Sequence, residues 1–277
     1  MSATDWPDSI KSLPPLRAVI TQYELAAKKS LGQNFLLDLN VTDKIARAAG
    51  DLTDKTVIEI GPGPGGLTRA LLANGARQVV AIERDRRCVA ALQDLVRASD
   101  GRLRIIEDDA QKVDVEKLGP APRVVVANLP YNIGTDLLIG WLLNGAAYHS
   151  LTLMFQKEVA SRLVAQVNTE DYGRLSVLAQ VASTPKIMMT LPPNAFTPPP
   201  KVHSAVVRLV PKPPAASLDM LGRVTAAAFG QRRKMIRSSL GSLFTEQQLA
   251  ALGLNPEARA ETLAVEDYVR LANHLSH

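Results

Sequence analysis

The residues whose types and spacing best fit a chemical task are Asn128-Leu129-Pro130-Tyr131, which follow an apolar, strand-like run. One task that this motif fits is methylation of an exocyclic adenine amine. Such an amine is a poor nucleophile because its lone pair is delocalised into the ring. Two acceptors, the Asn128 side-chain oxygen and the Leu129 carbonyl, would bind its two N–H groups and favour a pyramidal nitrogen whose lone pair faces an activated methyl group. Pro130 fixes the backbone that presents the carbonyl, and Tyr131 can stack on the base. A strand-end turn with a packed tyrosine is the alternative interpretation.

A second aromatic residue, Phe196, lies on the proline-rich loop over residues 192–201. A base inside a stacked duplex cannot reach a pocket of this kind, so the target must be flipped out or lie in a loop. We therefore predict that Phe196 holds the extruded base from the face opposite Tyr131. A buried phenylalanine that plugs the loop is the alternative.

A glycine-rich segment over residues 57–66 leaves a strand-like run and enters a helical one through four glycines. Gly61, Gly63 and Gly66 satisfy the pattern G-x-G-x-x-G. Glu83 follows about twenty residues later at the end of the next strand-like run, where a carboxylate can bind ribose hydroxyls. The pattern indicates an adenosine-containing cofactor, with both NAD and S-adenosylmethionine possible, and a purely structural turn is the alternative.

Two prolines in this loop favour S-adenosylmethionine over NAD. Pro62 and Pro64 lack the N–H groups that a pyrophosphate would need, whereas S-adenosylmethionine carries no phosphate. Asp109, after the third strand-like run, can accept a hydrogen bond from the adenine amino group, although a solvated loop acid is an equally simple interpretation of this residue. S-adenosylmethionine is the predicted cofactor, and we expect no metal.

The elements that must position these residues are short apolar runs that alternate with helical ones from residue 56 onwards. This alternation predicts βαβ units and a mostly parallel sheet, and thus an α/β fold. The predicted strands cover residues 56–60, 78–82, 103–106, 123–127, 151–155, 186–191 and 202–210, and the predicted helices among the first five cover residues 67–73, 86–97 and 135–143.

Beyond residue 216 the pattern is typical of helices alone, including one opened by a capping box of Thr245 and Gln248. The other three predicted helices cover residues 218–229, 231–243 and about 265–275. The predicted organisation is a partly ordered N-terminal extension over residues 1–27, a cofactor-binding domain over residues 28–211 and a helical domain over residues 212–277.

Composition favours a polyanionic partner, since the formal charge is +5 and the isoelectric point is about 9.4. Arg233 and Arg237 are predicted to lie one turn apart on one helix, facing the same phosphate track, although a merely solvated face is the default interpretation of such a run. Cys88 is the only cysteine, and no apolar run approaches the length of a membrane span, so we expect a cytoplasmic protein with no membrane contact. The predicted RNA contacts are Lys28, Lys29, Lys201, Arg232, Arg233, Lys234 and Arg237.

Several segments in combination resemble the ribosomal RNA adenine N6-dimethyltransferases, from about residue 28 to the C-terminus. These segments are residues 29–36, the glycine loop, residues 128–131, 155–159, 196–204 and 229–234. The resemblance implies a Rossmann-like class I methyltransferase sheet with helices on both faces and a small all-α C-terminal domain that contributes to RNA binding. The cofactor-binding residues that it implies are Gln33, Asn34, Leu36, Gly61, Gly63, Glu83, Asp109 and Asn128; the part of the loop around Gly66 varies in the family, and Gly66 is assigned no ligand contact.

Within that family the chain is most similar to the bacterial small-subunit enzymes. These dimethylate two adjacent adenosines in the 3′-terminal hairpin of 16S rRNA, so the resemblance implies a monomer that acts on the small ribosomal subunit or its precursor. The resemblance also implies that Asn128 and Tyr131 lie at the target amine, with Phe196 stacked opposite.

Other functions stay open on the sequence. One is an assembly or transcription factor that binds RNA without catalysis, which the presence of Asn128, Pro130, Tyr131 and Glu83 argues against. Another is an NAD-dependent oxidoreductase, which the motif at residues 128–131 disfavours. A relative that acts on large-subunit RNA and confers antibiotic resistance is the nearest alternative within the family.

Overall fold

The computed structural model describes residues 6–26 and 33–276. The strands are β1 (Phe35–Leu36), β2 (Thr56–Ile60), β3 (Gln78–Glu83), β4 (Leu103–Glu107), β5 (Arg123–Asn128), β6 (Ser150–Gln156), β7 (Ser183–Leu191), β8 (Phe196–Thr197) and β9 (Ser204–Pro211). The helices are α1 (Asp8–Lys11), α2 (Leu16–Gln22), α3 (Leu39–Ala48), α4 (Gly66–Ala73), α5 (Arg86–Ala91), α6 (Gln93–Ala98), α7 (Gly134–Leu143), α8 (Lys157–Val164), α9 (Arg174–Ala182), α10 (Leu218–Gly230), α11 (Ile236–Ser239), α12 (Glu246–Ala251) and α13 (Val265–His274).

Seven strands form one sheet in the order β4-β3-β2-β5-β6-β9-β7. The five strands from β4 to β6 are parallel, and β9 runs antiparallel to β6. All five residues of β2 are buried, as expected for a strand covered on both faces. The predicted α/β fold with a mostly parallel sheet is confirmed, and the predicted strands lie within three residues of the observed bounds.

The carboxyl ends of three neighbouring parallel strands carry the polar groups of interest. β2 ends at Ile60 beside Ile82 of β3, and Asn128 is the last residue of β5. Because parallel strands end at a common edge of their sheet, the glycine loop, Glu83 and Asn128 meet there.

The chain divides into two compact units, one of Met1–Lys157 with Ile187–Leu209 and one of Glu158–Lys186 with Val210–His277. The sequence predicts a domain boundary at residues 211–212, and its patterns predict no helix where α8 and α9 lie. The second unit instead includes both helices, and α9 shares an apolar core with α10 and α13 through Val177 and Val181.

The core of the second unit is organised around two fully buried tyrosines. The Tyr172 hydroxyl donates to the Leu263 carbonyl (3.0 Å), and the Tyr268 hydroxyl donates to the Ala260 carbonyl (2.6 Å). Phe229 packs between the two rings, with centroids 6.1 and 5.6 Å away. Both polar tips are therefore satisfied inside an otherwise apolar core.

The predicted helix over residues 231–243 is wrong, because helical geometry is confined to Ile236–Ser239. Met235 is extended and pairs with Arg259, and the N–H groups of Ile236 and Arg237 donate to carbonyls at residues 258 and 256. These non-local bonds replace the helical ones. The capping box of Thr245 and Gln248 is confirmed at the start of α12.

The N-terminal segment over residues 6–26 belongs to the first unit. Trp6 and Ile10 are buried in the core that contains β2 and α4. The Trp6 indole N–H donates to Asp43 Oδ1 (3.1 Å), an acid that is only 1% exposed. The segment predicted as a partly ordered extension is thus part of the folded core from residue 6 onwards.

In the part of the chain that the structure describes, every helix is too short or too polar to cross a lipid bilayer.

Candidate functional site

A cavity of about 950 Å³, part of it open to solvent, lies at the carboxyl edge of the parallel strands. The structure brings all eight predicted cofactor-binding residues to its wall: Gln33, Asn34, Leu36, Gly61, Gly63, Glu83, Asp109 and Asn128. Their contacts with a ligand stay predictions. Among the described residues, no group of His, Cys, Asp and Glu is arranged to hold a metal ion.

The loop over residues 61–65 has no backbone donor left for a phosphate. The Gly61 N–H donates to the Ile82 carbonyl (2.9 Å), the Gly63 N–H to Glu83 Oε2 (3.2 Å) and the Gly65 N–H to the Pro62 carbonyl (3.0 Å). The two intervening residues are prolines. A pyrophosphate needs several such donors, so this loop fits a cofactor without phosphate, such as S-adenosylmethionine, and disfavours NAD.

Two glycines of the loop are required by close packing. Gly63 has φ +55°, and a Cβ there would lie 3.0 Å from the Phe35 ring. A Cβ on Gly66 would lie 2.7 Å from the Leu36 carbonyl oxygen, which cannot move without moving β1. Gly66 therefore lets α4 begin directly against β1, a packing role that suffices to explain it without a ligand contact.

Glu83 is held in one orientation by the backbone around it. Its side chain is 5% exposed, Oε1 accepts the Asp85 N–H (2.8 Å) and Oε2 accepts the Gly63 N–H (3.2 Å). Burial raises the pKa of Glu83, while these N–H groups oppose the rise. A carboxylate fixed in this way can accept hydrogen bonds from a ribose diol without reorganising.

Sequence reasoning missed Glu59, which is 1% exposed and lines the same cavity. Burial raises the pKa of Glu59 to about 8, the neighbouring Thr68 hydroxyl lowers it, and the charge of Glu83 raises it further. Its Oε2 has no hydrogen-bond partner among the described residues. An acid inside an otherwise apolar strand, two residues before Gly61, was the signal that would have identified it.

The Asn128 side chain is oriented by a backbone carbonyl on the opposite wall of the cavity. Its Nδ2 donates to the Asn34 oxygen (2.9 Å), and because a carbonyl can only accept, the amide orientation is determined. The amide oxygen Oδ1 is thus the atom that can accept from an incoming amine. Leu129 and Pro130 also line the cavity, and the Pro130 carbonyl accepts N–H groups from Ile133 and Gly134, where α7 begins.

The two predicted stacking residues differ in their surroundings. Tyr131 is half-buried, and its hydroxyl forms a 2.6 Å hydrogen bond with the buried Ser204 hydroxyl, which anchors the ring three residues from Asn128. Phe196 is 3% exposed and packs in the apolar core, on β8 opposite Leu36 of β1. The buried phenylalanine that plugs its loop is therefore the arrangement in this structure, and stacking by Phe196 would require its ring to leave the core.

Asp109, the acid predicted to bind the adenine amino group, is partly exposed at the cavity wall. Asp109 Oδ1 accepts the Gln111 N–H (3.1 Å), and its other oxygen lies 3.7 Å from an Arg84 guanidinium nitrogen. These contacts hold the carboxylate at the cavity wall and leave room for a further donor.

The predicted basic helix face is not formed. Arg233 and Lys234 are exposed on the turn before α11, while Arg232 donates to the Glu170 carbonyl (2.8 Å). Arg237 lies 4.0 and 3.7 Å from the carboxylates of Glu246 and Glu257. Arg233 and Arg237 therefore do not share a helical phosphate track, because the extended backbone at residue 235 separates them. Lys201 is exposed on its loop, and Lys28 and Lys29 lie outside the described residues.

Comparison with solved structures places this fold among RNA methyltransferases. A dimethyladenosine transferase from Plasmodium falciparum matches with a TM-score of 0.73 and 27% identity, over 83% of this chain and 93% of that one. The 23S rRNA methyltransferase ErmE matches with a TM-score of 0.69 and 27% identity, over 88% of this chain and all (100%) of that one. The sheet is that of the class I S-adenosylmethionine-dependent methyltransferases.

Sequence relatives are much closer. A ribosomal RNA small subunit methyltransferase A from Mesorhizobium japonicum is 58% identical over 276 residues, covering 96% of this chain and 99% of the relative. A protein of the same name from Rhodospirillum rubrum is 57% identical over 264 residues, covering 94% of this chain and 92% of the relative. The family model for ribosomal RNA adenine dimethylase matches residues 24–277. With its phosphate-excluding glycine loop and its oriented Asn128 amide, this chain belongs to the ribosomal RNA adenine dimethylases, which are S-adenosylmethionine-dependent methyltransferases.

Proposed function

We propose that the chain transfers methyl groups from S-adenosylmethionine to the N6 amines of two adjacent adenosines in the 3′-terminal hairpin of 16S rRNA, as a cytoplasmic monomer in small-subunit biogenesis. Two relatives at 57–58% identity carry a small-subunit name, and their alignments cover almost the whole chain. The observation that carries the proposal is the Asn128 amide, whose nitrogen is bound to the Asn34 carbonyl and whose oxygen is left to accept.

The residues at the cavity wall account for the chemistry of transfer. S-adenosylmethionine supplies an electrophilic methyl group on a sulfonium. Asn128 Oδ1 and the Leu129 carbonyl accept the two N6–H groups, so the nitrogen lone pair is withdrawn from the ring and directed at that methyl. Transfer would form the N–C bond while the S–C electron pair stays on sulfur, and the surplus N6 proton would leave to water.

The cofactor is held by groups on both sides of the cavity. Glu83 binds the ribose hydroxyls, Asp109 accepts from the adenine amine, and Gln33 to Leu36 close the opposite wall. Glu59, buried at the cavity wall, is suited to the cationic end of the methionine portion, because a neighbouring cation favours its ionised form and lowers the pKa that burial raises. Tyr131 supports the extruded base through its anchored ring.

RNA binding is assigned to the exposed cations. Lys201, Arg233 and Lys234 are exposed, and we include Lys28 and Lys29 on the sequence alone. Arg232 and Arg237 are weaker contributors, because both already contact carbonyl or carboxylate groups of their own unit.

The decisive experiment offers the protein labelled S-adenosylmethionine with small subunits from an unmethylated strain, and in parallel with large subunits. Mass spectrometry then locates the modified nucleotides. Two adjacent N6,N6-dimethyladenosines near the 3′ end of 16S rRNA are expected. Methylation of the large subunit alone would replace the small-subunit target with the kind of substrate named for ErmE, and binding without methyl incorporation would indicate a non-catalytic assembly factor.

A further inference from the structure

An ion pair between Asp85 and Arg87 lies just behind the cofactor cavity, between β3 and α5. Arg87 donates from Nη2 to Asp85 Oδ2 (2.7 Å) and from Nε to Oδ1 (3.1 Å), a two-point contact. The Asp85 side chain is 5% exposed and that of Arg87 is 32% exposed. The Arg87 hydrogen bonds lower the pKa of Asp85 to about 2, so the pair stays ionised at any physiological pH.

Two separate stretches of chain contact this ion pair. Arg87 Nη1 donates to the Glu24 carbonyl (2.8 Å), and Gln33 Nε2 lies 3.5 Å from Asp85 Oδ2. Glu24 has φ +50°, a conformation that a glutamate adopts at a cost, and the next residue, Leu25, is buried against α5. This conformation ends α2, since the N–H groups of Glu24 and Leu25 donate to the Thr21 and Ile20 carbonyls, and it leaves the Glu24 carbonyl to accept from Arg87.

The pair is also connected to the residues proposed to bind and react. The Asp85 N–H donates to Glu83 Oε1 (2.8 Å), so any shift of Asp85 moves the predicted ribose-binding carboxylate. Gln33 directly precedes Asn34, whose carbonyl orients the Asn128 amide. The Arg87 guanidinium thus fixes Asp85, and through Asp85 it helps to position both Glu83 and the segment that orients Asn128.

We propose that Arg87 is a positioning residue for methyl transfer, which acts by fixing Asp85, Glu24 and Gln33 relative to one another without touching either substrate. The proposal rests on the roles assigned above to Glu83 and Asn128. If it is correct, losing the guanidinium lowers both the affinity for the cofactor and the rate of transfer from the bound complex.

The test compares Arg87→Met with Arg86→Met. Methionine keeps much of the apolar stem and removes the donors. Arg86 is the adjacent arginine, and its 88% exposed side chain pairs among the described residues with the half-exposed Glu107 (2.6 Å). It therefore controls for loss of a positive charge at the same point of the chain. Calorimetry measures the binding of S-adenosylhomocysteine, and single-turnover kinetics at saturating S-adenosylmethionine measure transfer to unmethylated small subunits.

Arg87→Met should weaken S-adenosylhomocysteine binding by about tenfold and slow single turnover by about tenfold or more, whereas Arg86→Met should change each by less than about twofold. Arg87→Lys, which can keep one bond to Asp85 but not all three bonds to Asp85 and Glu24, should lie between them. Equal behaviour of the two methionine variants would overturn the proposal, as would a lower thermal midpoint for Arg87→Met with unchanged single turnover below that midpoint. The calorimetric comparison needs no RNA, so failure of the wild type to methylate small subunits would contradict the proposed function and still leave the affinity prediction tested.

Discussion

Replacing Asn128 with alanine should separate catalysis from cofactor binding. The substitution removes the Oδ1 acceptor and one hydrogen bond, from Nδ2 to the Asn34 carbonyl at 2.9 Å. That bond contributes about 0.5–1.5 kcal/mol, and 1.4 kcal/mol corresponds to a tenfold change, so the affinity for S-adenosylmethionine should fall by no more than about tenfold. Loss of an acceptor aimed at the reacting amine should slow transfer by about 10²- to 10³-fold.

Asn128→Asp gives the sharper comparison, because it keeps an oxygen where the amine would bind. Its second oxygen would face the Asn34 carbonyl at about the distance of the present hydrogen bond, with two acceptors and no proton between them. The aspartate variant should therefore bind cofactor more weakly than the alanine variant, by about 1–3 kcal/mol of repulsion and unmet bonding. An aspartate at this position is workable from chemistry alone, and the structure argues against it.

The assay for both variants pairs calorimetric binding of S-adenosylhomocysteine with single-turnover methylation of unmethylated small subunits. The reasoning fails if Asn128→Ala loses affinity and rate by the same factor, since the residue would then serve binding alone. It also fails if Asn128→Asp binds as tightly as the wild type.

Three further predictions test other parts of the molecule. Because the pKa of Glu59 is about 8 when folded and 4.5 ordinarily, the folded chain holds a proton that the unfolded chain releases. The free energy of unfolding should thus fall as pH rises from about 4.5 to about 8, by at most about 1.4 kcal/mol per pH unit. Thermal melts at pH 6 and 8.5 should show that Glu59→Gln removes this dependence. Equal pH dependence in the wild type and the variant would contradict the prediction. Arg233→Ala should weaken RNA binding and flatten its salt dependence more than Arg237→Ala, whose charge already faces two glutamates, in filter-binding titrations; the reverse order would refute the assignment. Trp6→Phe removes one of the hydrogen-bond donors to the buried Asp43 carboxylate, so the free energy of unfolding in urea should fall by about 1–3 kcal/mol. An unchanged unfolding midpoint would show that the N-terminal segment contributes no stability through this bond.

Local sequence patterns predicted the strands and the site because both depend on neighbours in the chain. The alternation of apolar runs is a property of each βαβ unit, and β2, β3 and β5 end within one residue of their apolar runs. Asn128 and Glu83 were predicted as site residues for the same reason, since a polar residue at the carboxyl end of a buried parallel strand lies at the ligand edge of the sheet.

The features that sequence reasoning missed depend on contacts between residues far apart in the chain. The run of arginines after Phe229 has helical spacing, yet a bridge from Met235 to Arg259 takes its backbone out of the helix. Burial of Trp6 follows no local sequence pattern, because its hydrogen-bond partner Asp43 lies 37 residues further along the chain. Burial of Phe196 is equally non-local, since it follows from the pairing of β8 with β1.

The loop over residues 61–65 has a further consequence for competition inside the cell. ATP and NAD carry the same adenosine that Glu83 and Asp109 are assigned to bind. A phosphate over residues 61–65 would meet N–H groups that are already bonded and would lie near the buried carboxyl groups of Glu59 and Glu83, so its oxygens would lose water without gaining a donor from this loop. The bonded loop thus disfavours phosphate-carrying nucleotides at the point where their first phosphate would follow the ribose.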